Sequence, residues 1–299
     1  MSNIIITGGN GVLATELTKH LLKDKNTYVI LVSRHPECIK KKTNLQIVDL
    51  HQLVNDKELI DKNYDSLIHT AFSRSLDCSE LLNSLNYLEE VLLVARQLKL
   101  KSFINISSQS VYGTKNSKDL LCSEICQIAP NDSYAIAKSF SEMLVNSLLE
   151  SQTINYSSIR LASLLSYKER SRFINKLVEK AKNGEELTIY GGNQQYSFID
   201  VSDAAEGIVS MIEKNDNTWE KVYNLGFGKS FSLYDLALMV VEIAEDKYNK
   251  DIKINILPSK NDSCIGMNIS LFKRDFSWEP KINIKTSIQN LFVNDGKGK

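Results

Sequence analysis

The 299-residue chain lacks any long apolar run, so no segment reaches the roughly 20 consecutive apolar residues that a membrane-spanning helix needs. It also lacks a net charge, because 36 Lys and Arg residues balance 36 Asp and Glu residues. Neither a nucleic acid nor a membrane is therefore expected as a partner. An apolar run already begins at residue 3, so we expect no signal peptide and a cytoplasmic location.

Cysteine and histidine are scarce, and neither forms a pattern typical of a metal site. The odd number of cysteines and their scattered positions favour a reducing compartment. Cys122 and Cys126 are four residues apart, but no histidine and no second cysteine pair lies near them. We therefore predict no bound metal. The residues concerned are Cys38, Cys78, Cys122, Cys126, Cys264, His20, His35, His51 and His69.

The first half of the chain alternates short apolar runs with helical patterns. This alternation is typical of parallel strands joined by right-handed crossovers. The predicted fold is therefore α/β, with a doubly wound parallel sheet of the Rossmann type and a smaller C-terminal α/β part that binds substrate. The predicted strands are 3–7, 28–33, 45–49, 65–71, 102–107 and 154–161, and the predicted helices are 12–24, 52–60, 78–99 and 133–151.

The second half of the chain is less regular. Only four prolines occur in the whole sequence, and no Gly/Ser-rich stretch suggests a flexible hinge. We predict a nucleotide-binding domain over 1–165, to which about 197–226 returns, and a smaller substrate-binding domain formed by 166–196 and 227–299. Helices are predicted at 170–183, 203–213 and 232–246, and extended segments at 187–190, 197–200, 222–225 and 252–256.

A cluster of glycines follows the first predicted strand, in "NIIITGGNGVLATEL". Gly8 and Gly11 would let the backbone bend and approach a pyrophosphate, and the next helix would direct its N–H groups at the anion. Ala14 occupies a third position that only has to be small. Val12 and Leu13 open the helix. The pattern predicts a dinucleotide site.

The end of the second strand bears on the choice of nucleotide. An acidic residue here would bind the ribose 2′-hydroxyl of NAD, but Ser33 and Arg34 stand in its place. Arginine can pair with a 2′-phosphate, so we expect NADP in preference to NAD, although a solvated surface arginine is the alternative. Asp49 and the adjacent Leu50 are candidates to contact the adenine, and a loop-capping role for Asp49 is the alternative.

The third group of candidate residues combines a strand that ends in serines with a helix that begins soon after it. Tyr134 and Lys138 are four residues apart and therefore share a helix face. Oxidation of an alcohol or reduction of a carbonyl needs a proton acceptor or donor, and a nearby ammonium favours the tyrosine phenolate. We predict that Tyr134 is the acid/base, that Lys138 lowers its pKa, and that Ser108 holds the substrate oxygen.

Taken together, these segments resemble the extended short-chain dehydrogenase/reductase family, in its nucleotide-sugar epimerase/dehydratase branch. "TGGNGVLA", "YAIAK" and "FIDVSDAAEGI" are similar to blocks of that family over nearly the whole chain. The resemblance implies that the "HTAF" segment, with Thr70 and Ala71, lies over the cofactor and that Phe72 faces the substrate. It also implies that Lys138 binds the cofactor ribose and that two copies of the chain dimerise through the helices 78–99 and 133–151.

Four positions depart from the family's pattern. Gln109 and Ser110 replace the Asp-Glu pair of sugar-nucleotide 4,6-dehydratases, and neither can act as an acid or base, which disfavours a dehydratase. Ser163 and Tyr196 replace an asparagine and an arginine that hold the substrate diphosphate. The missing charge would then come from Arg170, Arg172 or Lys176, or else the substrate is not a nucleotide sugar. The predicted substrate-binding residues are Phe72, Ser110, Ser163, Arg172 and Tyr196.

Three functions remain open at this point. Arg34 favours an NADPH-dependent reductase that acts on a keto group of a sugar, which we expect to be nucleotide-linked. The alternative is an NAD-dependent nucleotide-sugar 4-epimerase, which oxidises a sugar and reduces its other face. The third is a non-catalytic NADP-binding sensor, which the presence of Ser108, Tyr134 and Lys138 argues against.

Overall fold

Seven parallel strands form the central sheet of the computed structural model, which describes residues 2–35, 42–114, 121–169, 172–214, 218–259 and 264–293. From one edge to the other they are β3 (Leu45–Val48), β2 (Thr27–Val32), β1 (Ser2–Thr7), β4 (Asn63–His69), β5 (Lys99–Ser108), β7 (Asn155–Leu161) and β11 (Val222–Leu225). The chain moves outward from β1 to β3 and then crosses back to β4. This reversal creates a crevice at the carboxyl ends of β1 and β4, where open α/β sheets bind their ligands.

The central strands form because their apolar runs are buried on both faces, as in other parallel sheets. Ile4, Ile5 and Ile6 are all fully buried in β1. The predicted Rossmann-type sheet is confirmed, and each strand that the sequence predicted in the first half is present with ends shifted by a few residues at most.

Most predicted helices are present too, and aspartates cap several of them. Asp132 caps the helix that begins at Ser133 by accepting a hydrogen bond from the Ala135 backbone N–H at 2.7 Å. The single helix predicted at 52–60 is wrong, because Asp56 ends one helix and caps a second. The helices are α1 (Val12–Leu21), α2 (Leu50–Asn55), α3 (Lys57–Ile60), α4 (Cys78–Gln97), α5 (Ser133–Leu149), α6 (Phe173–Asn183), α7 (Val201–Glu213), α8 (Leu233–Tyr248), α9 (Ser270–Phe276) and α10 (Ile284–Val293).

A smaller part of the molecule is built from C-terminal segments around a separate core. The apolar faces of α6, α8 and α10 pack together there, with Leu177, Val240 and Ile288 in the interior. Two small sheets accompany the central one: β8 (Ser163–Leu165), β10 (Gln195–Asp200), β12 (Ser230–Ser232) and β14 (Cys264–Met267) join β6 (Leu121–Cys122) in the first, and β9 (Leu187–Tyr190) pairs with β13 (Ile254–Leu257) in the second. The first of these sheets contributes side chains to the cores of both parts.

Helix α9 lies against the larger part, although the domain boundaries predicted from the sequence place it in the smaller one. The rings of Phe272 and Phe276 pack 5.8 and 5.0 Å from that of Tyr223 on β11. We propose the two-part division drawn from the sequence, with α9 moved to the nucleotide-binding side. Across the described ranges, no helix is both long and apolar enough to cross a membrane.

Candidate active site

Two adjoining pockets open at the carboxyl ends of the central strands. The glycine-turn pocket, of about 920 Å³, lies against the loop after β1, and the tyrosine pocket, of about 800 Å³, lies against the first turn of α5. Gly11, Thr70 and Phe72 line both pockets, so the two are continuous. Together they form one cleft with room for a dinucleotide and a second ligand.

Most of the predicted cofactor-binding residues line this cleft. Gly8, Gly11, Ser33, Arg34, Thr70 and Ala71 line the glycine-turn pocket, and Val12, Leu13, Tyr134 and Lys138 line the tyrosine pocket. Asp49 and Leu50 do not line either pocket, and their contact with the adenine stays a prediction. The Asp49 carboxylate accepts from the Gln52 N–H at 2.7 Å, and the Gln52 side chain accepts from the Asp49 N–H at 3.0 Å. This capping box holds Asp49 at the start of α2.

The glycine turn is shaped by the close approach of the segment after β4. Gly8 has a φ of +78°, and a Cβ atom there would lie 2.9 Å from the Ala71 backbone. The Thr70 hydroxyl donates to the Thr7 carbonyl at 2.7 Å and fixes that segment. No side chain caps α1, so its first N–H groups remain open to an anion. Ala14 is fully buried, which agrees with the requirement for a small residue.

Ser33 and Arg34 lie side by side but in different environments. Ser33 is buried, and its hydroxyl accepts from the Asn10 amide at 3.2 Å and from the His35 N–H at 3.1 Å. Arg34 is exposed at the pocket wall. Within the described residues, its guanidinium has no hydrogen bond or ion pair of its own. It is therefore available to a ligand phosphate, although Glu80 and Glu90 line the same pocket.

Ser108, Tyr134 and Lys138 meet in the tyrosine pocket as predicted. Ser108 ends β5, and its side chain acts to lower the pKa of Tyr134. The Ser108 Oγ atom accepts from the Ser110 hydroxyl at 3.0 Å. Lys138 lies one helical turn after Tyr134, is buried, and donates from Nζ to the Ile106 carbonyl at 2.7 Å. The arrangement places a phenol, a hydroxyl and an amine around one cavity.

The pKa values at this site are governed by burial. Burial, with a contribution from the charge of Arg74, lowers the pKa of Lys138 to about 7, and Glu142 acts in the opposite direction. Burial raises the pKa of Tyr134, against the opposing effects of Arg74 and of the Ser108 side chain. Lys138 is not among the groups that set the Tyr134 pKa here, and that it lowers this pKa together with a bound nicotinamide stays a prediction. The Lys138 Nζ atom lies 5.9 Å from the Tyr134 ring centroid and is engaged by Ile106.

All five predicted substrate-binding residues line the tyrosine pocket: Phe72, Ser110, Ser163, Arg172 and Tyr196. Of the alternative sources of positive charge, Arg172 is in this wall, the exposed Lys176 is not, and Arg170 lies outside the described residues. This wall of the tyrosine pocket therefore has a cation at the N-terminal end of α6.

Gln109, one of the residues that disfavour a dehydratase, forms hydrogen bonds through both the nitrogen and the oxygen of its side-chain amide. Its side-chain amide donates to the Ser163 hydroxyl at 2.9 Å and to the Ser197 carbonyl at 3.1 Å, and it accepts from the Ser197 N–H at 3.2 Å. These bonds join the end of β5 to β8 and β10. Because a carboxamide neither gains nor loses a proton near neutral pH, Gln109 cannot act as an acid or a base in the pocket.

Two groups of residues at the site were missed from the sequence. Arg74 and Glu169 line the tyrosine pocket and form an ion pair at 2.9 Å. Behind the site, Glu142 pairs with Arg160 at 2.8 Å and accepts from the Ser107 hydroxyl at 2.5 Å. Arg74 comes soon after β4, whose carboxyl end faces the cleft. Its position just after a strand of the parallel sheet was the signal in the sequence that could have identified it as a site residue.

The comparison with protein families agrees with this geometry. Residues 4–226, well over half of the chain, match the family described as the NAD-dependent epimerase/dehydratase family. The chain belongs to this family. Its resemblance to the extended short-chain dehydrogenase/reductases is thereby confirmed, as is its Rossmann-type fold.

Individual relatives cover nearly the whole chain at low identity. A Bacillus subtilis protein described as the uncharacterized UDP-glucose epimerase YtcB is 23% identical, over 96% of each chain. The Bacillus cereus UDP-glucuronic acid 4-epimerase, solved with UDP-glucuronic acid and NAD, superposes with a TM-score of 0.82 at 20% identity, over 97% of this chain and 98% of that one. The dTDP-glucose 4,6-dehydratase of Bacillus anthracis, solved with NAD, gives a TM-score of 0.80 at 18% identity, over 98% and 96%.

Proposed function

We propose that the chain is a nucleotide-sugar 4-epimerase that uses a bound nicotinamide cofactor. The observation that carries this proposal is the meeting of Ser108, Tyr134 and Lys138 in a pocket continuous with the glycine-turn pocket. Family membership supports the reaction class, and the names of the similar 4-epimerases support the choice within it. The 4-epimerase, which the sequence left open as the alternative, is therefore favoured over the reductase.

The chain's own residues then have the following roles. Gly8, Gly11 and the first turn of α1 would hold the pyrophosphate of the cofactor, which supplies a hydride acceptor and donor when bound. The Tyr134 phenolate accepts the proton of the sugar hydroxyl during oxidation, and the resulting phenol returns that proton when the sugar is reduced. Ser108 holds the sugar oxygen beside Tyr134. The buried amine of Lys138 binds ribose and, when protonated, stabilises the phenolate.

An NADPH-dependent reductase is the second candidate, and Arg34 is the observation that favours it. Its exposed guanidinium can pair with a 2′-phosphate, and cells keep NADPH available for net reductions. The two reactions differ in stoichiometry: an epimerase consumes no cofactor, whereas a reductase consumes one NADPH for each keto sugar reduced. We keep NADP as the cofactor expected from Arg34 and NAD as the cofactor expected for the epimerase.

The experiment combines identification of the retained cofactor with a turnover assay. Mass spectrometry of the purified protein should detect a bound nicotinamide dinucleotide, and NMR should show conversion of UDP-glucose or a related nucleotide hexose into its 4-epimer without net change in absorbance at 340 nm. Stoichiometric loss of NADPH would instead support the reductase, and cofactor binding without any turnover would support the sensor.

A variant pair tests the assignment of the acid/base. Tyr134→Phe should reduce turnover at least about 100-fold and leave cofactor binding within about twofold. Tyr190→Phe, at a side chain that is 62% exposed, is the matched control and should keep wild-type activity. Full activity in the Tyr134 variant would refute the role proposed for it.

We propose that two copies of the chain pair through α4 and α5, which pack side by side in the structure. Both helices carry exposed apolar side chains: Leu82, Leu93, Ile136, Phe140 and Met143. Sedimentation equilibrium should give the mass of a dimer, and Phe140→Glu with Met143→Glu should give a monomer. A cytoplasmic location stays a prediction.

A further inference from the structure

Two arginines in the tyrosine pocket share a single carboxylate. The Nη1 atom of Arg74 and the Nε atom of Arg172 each lie 2.9 Å from the same oxygen, Oε2, of Glu169. All three side chains line the pocket that also contains Tyr134. Two guanidinium groups face one carboxylate, so this arginine pair and its carboxylate carry a net charge of +1.

The hydrogen bonds of this cluster are incomplete. The Nη2 atom of Arg172 is buried and, among the described residues, has no hydrogen-bond partner. A buried N–H donor without an acceptor is unfavourable, and a guanidinium without one is more so, because its charge is poorly solvated. Arg74 is only partly buried, with 45% of its side chain exposed. Further oxygen acceptors would complete the cluster, and an anionic group fits its charge.

The position of Arg74 places this anion site at the reacting end of the pocket. Its loop is fixed on both sides to the region around Tyr134. The Phe72 ring packs edge-on against Tyr134, with 6.3 Å between the centroids, and the Leu76 carbonyl accepts from the Ser133 hydroxyl at 2.9 Å. The positive charge of Arg74 accordingly acts to lower the pKa values of both Tyr134 and Lys138.

We propose that the sugar accepted by this chain carries a carboxylate, and that Arg74 and Arg172 bind it beside Glu169. The inference rests on the proposed function and names its substrate class. In a nucleotide-linked hexuronate the carboxylate is attached to carbon 5, next to the reacting carbon 4, whereas the diphosphate is on carbon 1, across the ring. A group bound beside Tyr134 is therefore the carboxylate. Guanidinium forks match its planar geometry, and its single charge balances the cluster.

The acidic residues in this wall do not cancel the effect. Asp132 lines the pocket, but its carboxylate accepts from the Ala135 N–H as the cap of α5. Its negative charge is thus partly satisfied by the helix N-terminus. Glu169 repels a ligand carboxylate directly, so its charge sets a limit on the affinity that the arginine pair can provide.

Paired ligands that differ only at this group test the inference. Isothermal titration of the cofactor-loaded protein would compare UDP-glucuronic acid with UDP-glucose, and the thymidine diphosphate forms of both sugars, with UDP alone as a reference. We expect the wild type to bind the carboxylate-bearing sugar about tenfold more tightly. Arg74→Met should reduce this ratio to about one, and Glu169→Gln should increase it. Arg274→Met, at a side chain that is 67% exposed, is the matched control.

The outcomes separate the possible sources of the anion. If Arg74→Met weakens UDP, UDP-glucose and UDP-glucuronic acid by the same factor, the arginine pair binds the diphosphate and the inference is overturned. An unchanged preference in Arg74→Met and Glu169→Gln also overturns it. In both cases the binding of UDP-glucose leaves the proposed function standing. If none of the nucleotide sugars binds, the proposed function fails and the inference fails with it.

Discussion

The Nζ atom of Lys138 lies 3.7 Å from the centroid of the Phe72 ring, at the junction of the two pockets. Among the described residues, this buried amine contacts the aromatic face and the Ile106 carbonyl, and the charges of Arg74 and Glu142 act on it in opposite directions. Burial therefore outweighs the stabilisation of the charged form, and the amine titrates near neutral pH. The amine that we propose assists ionisation of the Tyr134 phenol can therefore gain or lose its own proton within the physiological range.

Replacement of Lys138 by methionine should stabilise the protein at neutral pH. The folded-state pKa of about 7 lies below the value of about 10.4 for an unfolded lysine, so between these values the unfolded chain binds a proton that the folded chain does not. Stability of the wild type therefore rises with pH across this window. Urea unfolding should show the advantage of Lys138→Met shrinking by about 1.4 kcal/mol per pH unit between pH 8 and 9.5.

Lys101→Met, at a side chain that is 69% exposed, is the control for loss of an amine. A stability difference between the wild type and Lys138→Met that stayed constant over this pH range would contradict the assignment of a neutral buried amine.

Alanine at Gly8 should disrupt both the fold and cofactor binding. The backbone is in the left-handed region, and the added methyl group would lie 2.9 Å from the Ala71 backbone, which cannot move without shifting β4. Gly184 has a similar φ of +76°, but a methyl group there meets only the flexible Lys250 side chain at 3.5 Å. We expect a loss of about 1 kcal/mol for Gly184→Ala and about 3 kcal/mol or more for Gly8→Ala.

Chemical unfolding measures these losses, and nicotinamide fluorescence follows binding. Equal losses at the two glycines, with cofactor binding intact in both variants, would mean that the close approach at Gly8 has no role.

Replacement of Arg34 should change the choice of cofactor. Arg34→Ala removes the cation that can pair with a 2′-phosphate and should weaken NADPH binding about tenfold or more, while NADH binding stays within about twofold. Fluorescence titration of both cofactors against the wild type, the variant and Arg274→Ala measures the effect. If NADPH and NADH bind the wild type equally, or NADH binds more tightly, the argument from Arg34 is wrong and NAD is the cofactor.

Neutralisation of Glu142 should be costly because its partner is buried. The side chains of Arg160 and Glu142 are only 7% and 10% exposed, and Glu142→Gln would leave the guanidinium charge unpaired. We expect a loss of about 3–5 kcal/mol in the free energy of unfolding. Glu242→Gln breaks the exposed pair with Lys285 and should cost at most about 1 kcal/mol. Similar losses for the two variants would show that burial of the first pair has no energetic consequence.

Local patterns predicted the parts of the site that follow one another in the chain. The glycine turn, the Tyr134–Lys138 spacing and the serine end of β5 each lie within a few residues, where strand and helix periodicity fixes the geometry. For Asp49 the sequence left two roles open, because the same carboxylate can contact a ligand or cap a helix. The structure shows the cap, through Oδ1 and Gln52 three residues later, and the ligand contact stays a prediction.

The pairing of short strands could not be read from the sequence. β6, β8, β12 and β14 have two to four residues each, too few to show a periodicity, and they form because distant segments supply their hydrogen bonds. The groups that set the pKa of Tyr134 could not be read from the sequence for a related reason. Its value depends on burial and on Arg74, which is 60 positions away by residue number (134 − 74) and has no sequence pattern that links it to the tyrosine.

The sequence by itself determined the order of strands and helices, the glycine turn and the identity of the three residues proposed for catalysis, because short-range spacing encodes all of them. Only the tertiary structure decided which charges face the reacting centre. Arg74, Glu169 and Arg172 come from the loops after β4 and before α6, and they meet because the carboxyl ends of parallel strands gather at one edge of the sheet. Electrostatic interactions depend on distance through space, and the folded chain sets that distance.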